Sequence, residues 1–424
     1  MATTWLNTAA SQSEPAWLSK RRKQAGKSFD ELGFPTTRLE PWRYTNIKPW
    51  VNKDHAVAPV STLDVETLNS LHLLSQPAAR LIFVNGRYAP QLSQGAVFTS
   101  ALSASFDSHS GTLNELLGHV DHHKAQAMSA LNLACFSDGA LIVLPKNTLV
   151  EAPIELVFVS NGKQQEVTHQ RILVSAGEGS MATVVTRHVG LNDSAYFTNT
   201  VSEFQLSAGA VIKNVVLQNE GSGALHLSTT AARVGQNANF QSWVASLGAQ
   251  CARNEIHVAL DSVGARTELE GLFLARDSQN LDHYTNVEHT ASHTESNELY
   301  KGVVDDNAKG TFQARVYIAN GATKCATHQL NRNLILSENA EVNTKPQLEI
   351  DNDDVQATHG ATVGQLEEDA LYYMQCRGIP AKEARTLLVD GFVRELAGRL
   401  SNPQVKDVVN ILLEQALGRS SGIV

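Results

Sequence analysis

Helical and extended patterns alternate along this chain in long blocks. From Glu14-Pro15 to about Leu32 the sequence reads as a helix, with proline in the first turn and basic residues along one face. Gly33 to Asn46 interrupts it and reads as an ordered loop, with Trp42, Tyr44 and the nearby Trp50 forming a packing seam. Arg80-Leu-Ile-Phe-Val-Asn-Gly-Arg-Tyr88 is a strand, an Asn-Gly turn and the start of a second strand. Leu113, Leu116, Leu117 and Val120 recur at the helical period and predict one helix from Thr112 to Leu133.

From Ser137 to Gln365 the texture changes. Short runs of Val, Ile, Leu and Thr are punctuated by Gly179-Ser180, Gly209-Ala210, Asn237-Ala238, Gly264-Ala265, Asn307-Ala308 and Asn339-Ala340. Most neighbours are 27 to 32 residues apart, the step before Asn307 is longer, and Gly321-Ala322 falls between the last two. A repeat of that length built from short strands argues for a solenoid, because each coil buries its face only by stacking on the next. A β-sandwich is the competing architecture and would show no preferred period. Helical signals return at the end. Glu367-Glu368-Asp369 places acid at a helix start, Gly378 is a stop, Pro380 opens a second helix and Asn402-Pro403 caps a third. Ala384, Leu387, Leu388, Gly391, Phe392 and Leu396 share one face of the second helix. The divisions expected are a helical region over 1–78, a β-core over 79–365 with a helical insertion near 112–133, and a helical region over 366–424.

Composition narrows the classes. Over 424 residues, 42% hydrophobic and 18% charged content describes a folded chain with room for a large core. A net charge of −9 argues against nucleic acid or an anionic membrane as partner. No apolar run approaches the ~20 residues of a membrane span, and Ser19-Lys-Arg-Arg-Lys23 breaks any signal-peptide core. The expectation is a cytoplasmic protein. Cys135, Cys251, Cys325 and Cys376 form no C-x-x-C pair, so a cluster held by this chain alone is not indicated.

Several motifs have chemistry to weigh. Gly177-Glu-Gly-Ser-Met-Ala182 matches G-x-G-x-x-A, but strand-like Thr183-Val-Val-Thr follows where a dinucleotide site needs a helix, and no P-loop occurs. His119 and His123 lie one helical turn apart, as a two-ligand clamp or a solvated face. His283, His289 and His293 sit among acids; on a strand 289 and 293 share a face, which suits either a metal site or a polar solenoid surface. Cys325 and His328 face opposite sides of a strand, so Cys325 reads as a small hydrophobe. His359, between Thr358 and Gly360, is a borderline iron ligand beside a glycine that permits close backbone approach.

Four segments carry a family resemblance over nearly the whole chain: Pro35-Thr-Thr-Arg-Leu-Glu-Pro-Trp-Arg-Tyr-Thr45, Leu81-Ile-Phe-Val-Asn-Gly-Arg-Tyr88, Glu341-Val-Asn-Thr-Lys-Pro-Gln-Leu-Glu-Ile350 with Asp354-Val-Gln-Ala-Thr-His-Gly-Ala-Thr-Val-Gly364, and Leu371-Tyr-Tyr-Met-Gln-Cys-Arg-Gly-Ile379. Together they resemble the SufD family of iron–sulfur cluster assembly. The resemblance implies a mainly β fold, a right-handed parallel β-helix core flanked by helical N- and C-terminal regions. It implies a non-catalytic scaffold for cluster assembly and iron acquisition, working with its paralogue SufB and the ATPase SufC. A transient iron–sulfur cluster would form at the SufB interface, with a histidine matching His359 as this chain's metal ligand and no cluster stably held by the chain alone. Relatives often carry Cys-Ser before that histidine; here Ala357-Thr358 supplies no thiol. Lys345, Pro346, Leu348 and Ile350 would pair with SufB, or with a second copy as a homodimer when SufB is absent, by strand addition. Tyr372, Arg377, Gly378, Ile379 and Phe392 match the region that docks SufC, where the alternative role is capping the solenoid's open end. Two rival functions remain. A β-helix carbohydrate enzyme would need clustered Asp for calcium, where only Asp305-Asp306 and Asp351-Asn-Asp-Asp354 qualify. A cytosolic metal-binding β-helix enzyme would use His283, His289 and His293.

Overall fold

The computed structural model describes residues 14–120 and 126–420. Four short strands come first: β1 (Ala56–Val57), β2 (Ala79–Val84), β3 (Arg87–Tyr88) and β4 (Thr99–Ala101). Sixteen follow: β5 (Asp138–Leu144), β6 (Ile154–Ser160), β7 (Glu166–Ala176), β8 (Met181–Gly190), β9 (Phe197–Leu206), β10 (Val211–Asn219), β11 (Leu225–Val234), β12 (Asn239–Ser246), β13 (Cys251–Leu260), β14 (Arg266–Ala275), β15 (Asn280–His289), β16 (Glu295–Val304), β17 (Lys309–Ile318), β18 (Cys325–Ile335), β19 (Glu341–Ile350) and β20 (Val355–Gly364). Odd strands from β5 build one sheet and even strands from β6 the other. Each pairs in parallel with the strand two along, so the chain is a solenoid whose coils run from β5/β6 to β19/β20. The parallel ladders exclude the sandwich.

The corners explain the irregular repeat. Gly179, Gly209, Asn237 and Gly264 occupy one corner, before β8, β10, β12 and β14, with left-handed φ of 63°, 66°, 53° and 74°. The same corner on the next two coils holds His293 and Lys324, at φ of 58° and 56°. Asn307-Ala308 and Asn339-Ala340 belong to the opposite corner, before β17 and β19. The long step from Gly264 to Asn307 is therefore one coil plus half a coil.

Helices pack on the outsides of both sheets. The helices are α1 (Ala16–Leu32), α2 (Lys48–Val51), α3 (Val65–Ser70), α4 (Ser110–Leu116), α5 (Ala127–Cys135), α6 (Glu368–Cys376), α7 (Ala381–Ala397) and α8 (Pro403–Ser420). Phe29 of α1 and Leu131 of α5 join Trp42, Phe197 and Leu225 over the odd sheet. The single helix expected over 112–133 is instead α4 and α5. Gly118, at φ 74°, ends the first, and its N–H donates to the buried Glu203 carboxylate at 2.9 Å. Leu113, Leu116, Leu117 and Val120 are buried all the same.

Helices α7 and α8 lie across the even sheet. Val393, Leu396, Val409 and Leu413 pack on Val215, Leu217, Trp243 and Leu272. Val389, Val393, Leu396 and Ala397 form the buried stripe of α7 with Ala384, while Leu387, expected on it, is 46% exposed. The apolar surface of α7 is wider than one stripe, and the flat sheet takes the side containing Val389 and Val393. Among the described residues no helix is long and apolar enough to cross a membrane.

Inside the first coils Leu81, Phe83, Ile154, Leu156, Phe158, Ile172 and Val174 are fully buried. Phe83 stacks on Phe158 at 4.7 Å between ring centroids. Strand alternation sends every second residue inward, and these apolar positions form a continuous core along the lumen.

Candidate functional site

Among the described residues, β19 pairs only with β17 and β20 only with β18, so the last coil presents two free backbone edges. Pro346 sits within β19, and an edge strand tolerates a residue that cannot donate to a ladder. Register fixes which side chains face the lumen. Phe312, Ala314, Val316 and Ile318 of β17 belong to the core, and their partners on β19 are Thr344, Pro346, Leu348 and Ile350. Cys325, Thr327, Gln329, Asn331 and Asn333 of β18 are buried, and their partners are Val355, Ala357, His359, Ala361 and Val363. The mouth of the lumen is thus a rim that is apolar except for Thr344 and carries one imidazole. Ile350 and Val363 on that rim are 39% and 45% exposed.

His359 is exposed at this mouth. On the opposite face Thr358 holds β20 to β18, its Oγ1 lying 2.6 Å from Nδ1 of His328. Beneath His359 the column continues through Gln329 and Glu298 to Leu269. The Nε2 of Gln329 donates to Glu298 Oε1 at 3.2 Å, and Thr285 donates to Glu298 Oε2 at 2.6 Å from across the lumen. Burial pushes the Glu298 carboxyl up to about 7, against the pull of these two hydrogen bonds. Glu298 and Gln329 belong to no motif; only the coil register, some thirty residues per step, aligns them with His359.

The other histidines separate. His283 and His289 lie in the lumen, where burial pushes their imidazoles down to about 3 and about 4. His283 Nε2 is 2.9 Å from Ser246 Oγ, and His289 contacts Thr294 and Ser296 at 2.8 and 2.9 Å. His293 stands at an exposed corner, because β15 ends at His289 and the chain turns there. The expected shared face of 289 and 293 does not exist. Among the described residues, no group of three or more His, Cys, Asp or Glu is placed to hold a metal ion. The histidine-triad enzyme therefore loses its site. His119 lies 2.8 Å from Arg21 Nη2, and His122 and His123 fall outside the described residues. Cys325 is buried in the core with Sγ 3.4 Å from the Ala322 carbonyl, and His328 points outward on the same strand, as alternation predicts. Gly177–Ala182 is a corner leading into β8, with no helix after it.

The segments around residues 40 and 345 meet in space. Lys345 points outward from β19 and forms an ion pair with Glu40, which holds the Glu40 carboxyl below its ordinary range. The same N-terminal loop is strapped across the odd sheet. Pro41 and Tyr44 carbonyls accept from Gln313 and Asn280 at 3.0 and 3.2 Å, and Trp42 covers the buried Arg253 guanidinium at 4.4 Å.

The C-terminal candidates form a second patch. Helix α6 buries none of its residues. Tyr372 is 69% exposed, Arg377 donates to the Tyr373 hydroxyl at 2.8 Å, and Gly378 turns the chain at φ 85° before Ile379. Phe392 is half-buried: Lys301 Nζ sits 4.3 Å from its ring and donates to its carbonyl at 2.9 Å. His359, Pro346, Leu348 and Ile350 thus share the solenoid mouth, Lys345 flanks it, and Tyr372 to Phe392 lie on the helices.

The chain is similar to known proteins along nearly its whole length. The chain matches the model described as SUF system FeS cluster assembly, SufBD core domain, over residues 158–392, and that of the SufBD protein N-terminal region over 6–156. Similar proteins include a SufBD family iron–sulfur cluster assembly protein of Synechocystis, 29% identical over 92% of this chain and 89% of its own length. The iron–sulfur cluster assembly protein SufD of Escherichia coli is 26% identical over 94% of both chains. Its Bacillus subtilis counterpart is 28% identical over 95% of this chain and 94% of its own.

Proposed function

The chain belongs to the SufBD family of iron–sulfur cluster assembly proteins, and from that premise we propose that it acts as the SufD-type, non-ATPase scaffold subunit alongside SufB and SufC. The observation that carries the proposal is the placement of His359: an exposed imidazole on the inward face of an unpaired last coil. The free edges of β19 and β20 accept strands from SufB, and in its absence from a second copy. Thr344, Pro346, Leu348 and Ile350 then become covered, and His359 is enclosed between two chains.

At such a junction the cluster is cargo. His359 offers one neutral nitrogen to iron, and this strand carries no thiol beside it because Ala357 shares its face. The thiolate comes from SufB. A site shared between chains opens when they move apart, which gives an ATPase a mechanical means of releasing cargo. The exposed surface around Tyr372, Arg377 and Ile379 is the docking surface for SufC, and α7 transmits its motion through Lys301 and Phe392 to β16. Iron acquisition is part of the same role. The cluster is bound transiently, in the complex, and the chain performs no turnover of its own.

The test is iron and labile sulfide in the complex co-expressed anaerobically with its own SufB and SufC, wild type against His359→Ala. Loss of cluster from a complex of unchanged stoichiometry is expected. Full cluster content in His359→Ala reduces His359 to a structural residue and moves the assembly site to SufB.

A further inference from the structure

Two buried polar atoms at the mouth, Gln329 Oε1 and Thr344 Oγ1, lack a partner among the described residues. Gln329 Oε1 is inaccessible to solvent and has no hydrogen-bond partner among the described residues. The orientation of its amide is set from below. In its ionised form the Glu298 carboxylate only accepts, and the NH2 group of Gln329 turns to its Oε1 at 3.2 Å, which leaves the carbonyl oxygen to the other side. Thr285 fixes the far oxygen of Glu298 and keeps the carboxylate in place. The residue on that other side is His359, in register one rung above. Rungs of a sheet are about 4.8 Å apart, a spacing that side-chain hydrogen bonds bridge. A buried carbonyl left unpaired is costly, and the imidazole of His359, on the adjacent rung, carries an N–H donor.

We propose that Gln329 is the positioning residue for His359: its Oε1 accepts the N–H of one ring nitrogen and so presents the other, unprotonated, to the junction. Metal-ligating histidines commonly donate their second nitrogen to a carbonyl or carboxylate, which fixes tautomer and ring orientation. Here the orienting group is an amide at the end of a column, Thr285 to Glu298 to Gln329, that supports it from inside the solenoid. The value of this arrangement for cargo rests on the reading of His359 as an iron ligand. The hydrogen bond itself does not.

The experiment uses the full chain with isotope-labelled histidine. The nitrogen spectrum reports the tautomer of each neutral ring, and the His359 signals are assigned by their loss in His359→Ala. One tautomer is expected to dominate at His359 in the wild type. Gln329→Met, similar in length but without an acceptor, is expected to relax it toward the mixture of a free imidazole. Gln329→Glu, which restores an acceptor, is expected to recover the wild-type tautomer. If Gln329→Met does not fold, Gln329→Asn, which draws the amide back by one methylene, takes its place with the same expectation. An unchanged tautomer in the acceptor-deficient variant, or a mixed tautomer in the wild type, overturns the proposal. In the complex with SufB and SufC, Gln329→Met is expected to lower cluster content at constant stoichiometry. Because the tautomer is read without any cluster, a tautomer shift in Gln329→Met together with full cluster content in His359→Ala sinks the ligand reading alone.

Discussion

The two ends of this solenoid are built from the same strand geometry, and differ in the chemistry that the even sheet turns inward. At the first coils the lumen is filled by Leu81, Phe83, Leu156 and Phe158, and Tyr88, Ala96 and Phe98 pack over it. The antiparallel pairings of β3 with β2 and β4 with β5 end the parallel stack there. At the last coils the even sheet turns Ser296, Glu298, Thr327, Gln329, Asn331 and Asn333 inward, all buried, while the odd sheet still supplies Phe312, Ala314, Val316 and Ile318. Burying polar groups is costly unless they are hydrogen-bonded. Apart from Gln329 Oε1 the network is bonded: Ser296 donates to Thr327 at 2.8 Å, and Asn331 donates to the Tyr300 carbonyl at 3.1 Å. One end therefore contributes stability, and the other holds a polar network, with Gln329 Oε1 left unpaired in it, behind an unfinished edge. A solenoid that only had to fold would seal both.

The sharpest way to break this comparison is to hollow out each end. Phe83→Ala removes a fully buried ring stacked on Phe158 and should cost about 3–5 kcal/mol, as large-to-small changes of buried aromatics do. Leu348→Ala, at the half-buried mouth, should cost about 1 kcal/mol or less in the isolated chain. Chemical denaturation of the two variants measures the difference. Equal losses would mean that the open end is as much a core as the sealed one.

A smaller effect separates the two ends by pH. The folded-state pKa of Glu298 lies above its ordinary value, so between about 4.5 and 7 the folded chain holds a proton that the unfolded chain has lost. Stability is then fully present below that window and falls as pH rises through it. The shift corresponds to about 3 kcal/mol at neutral pH. Glu298→Gln should flatten this slope and raise the stability at pH 8 relative to wild type, measured as the difference between unfolding curves at pH 4.5 and 8. Buried His283 and His289 act in the opposite direction, with stability lost as pH falls below about 6.5, and they remain in the variant. A wild-type slope left intact in Glu298→Gln would show that this carboxyl is already ionised in the fold.

Much of the architecture was legible because it is periodic. The solenoid follows from small or left-handed-tolerant residues recurring at one corner, and the longer step before Asn307 arose because two corners have similar chemistry. The hairpin at Asn85-Gly86 was legible for a local reason, since both residues adopt the positive φ that such a turn requires, 50° and 72°. Non-local facts were not legible. Helix α4 ends where Gly118 meets the carboxylate of Glu203, a residue several coils of sequence away. The buried stripe of α7 is chosen by the flat sheet beneath it. At the site, His359 stood out through its motif, whereas Gln329 and Glu298 became visible only when the register stacked three residues, each about thirty apart, into one column.

The last distinction is between folding and association, and one substitution separates them. Ile350 ends β19 at the rim of the mouth and is 39% exposed, so a charge there leaves the isolated chain almost as stable as before. In a paired edge the same position is enclosed, and a carboxylate would be buried without a partner. Ile350→Asp should therefore leave the thermal midpoint of the chain within a degree or two of wild type, using the ordinary relation between free energy and midpoint shift. It should also remove SufB from affinity-purified complex and, in the chain alone, shift sedimentation to the monomer. A sealed end has no position with that signature: an Asp at Phe83 or Phe158 would unfold the chain before any partner could be lost. If Ile350→Asp retains SufB in full, the open edge is not the junction, and the polar column behind His359 serves the solenoid itself.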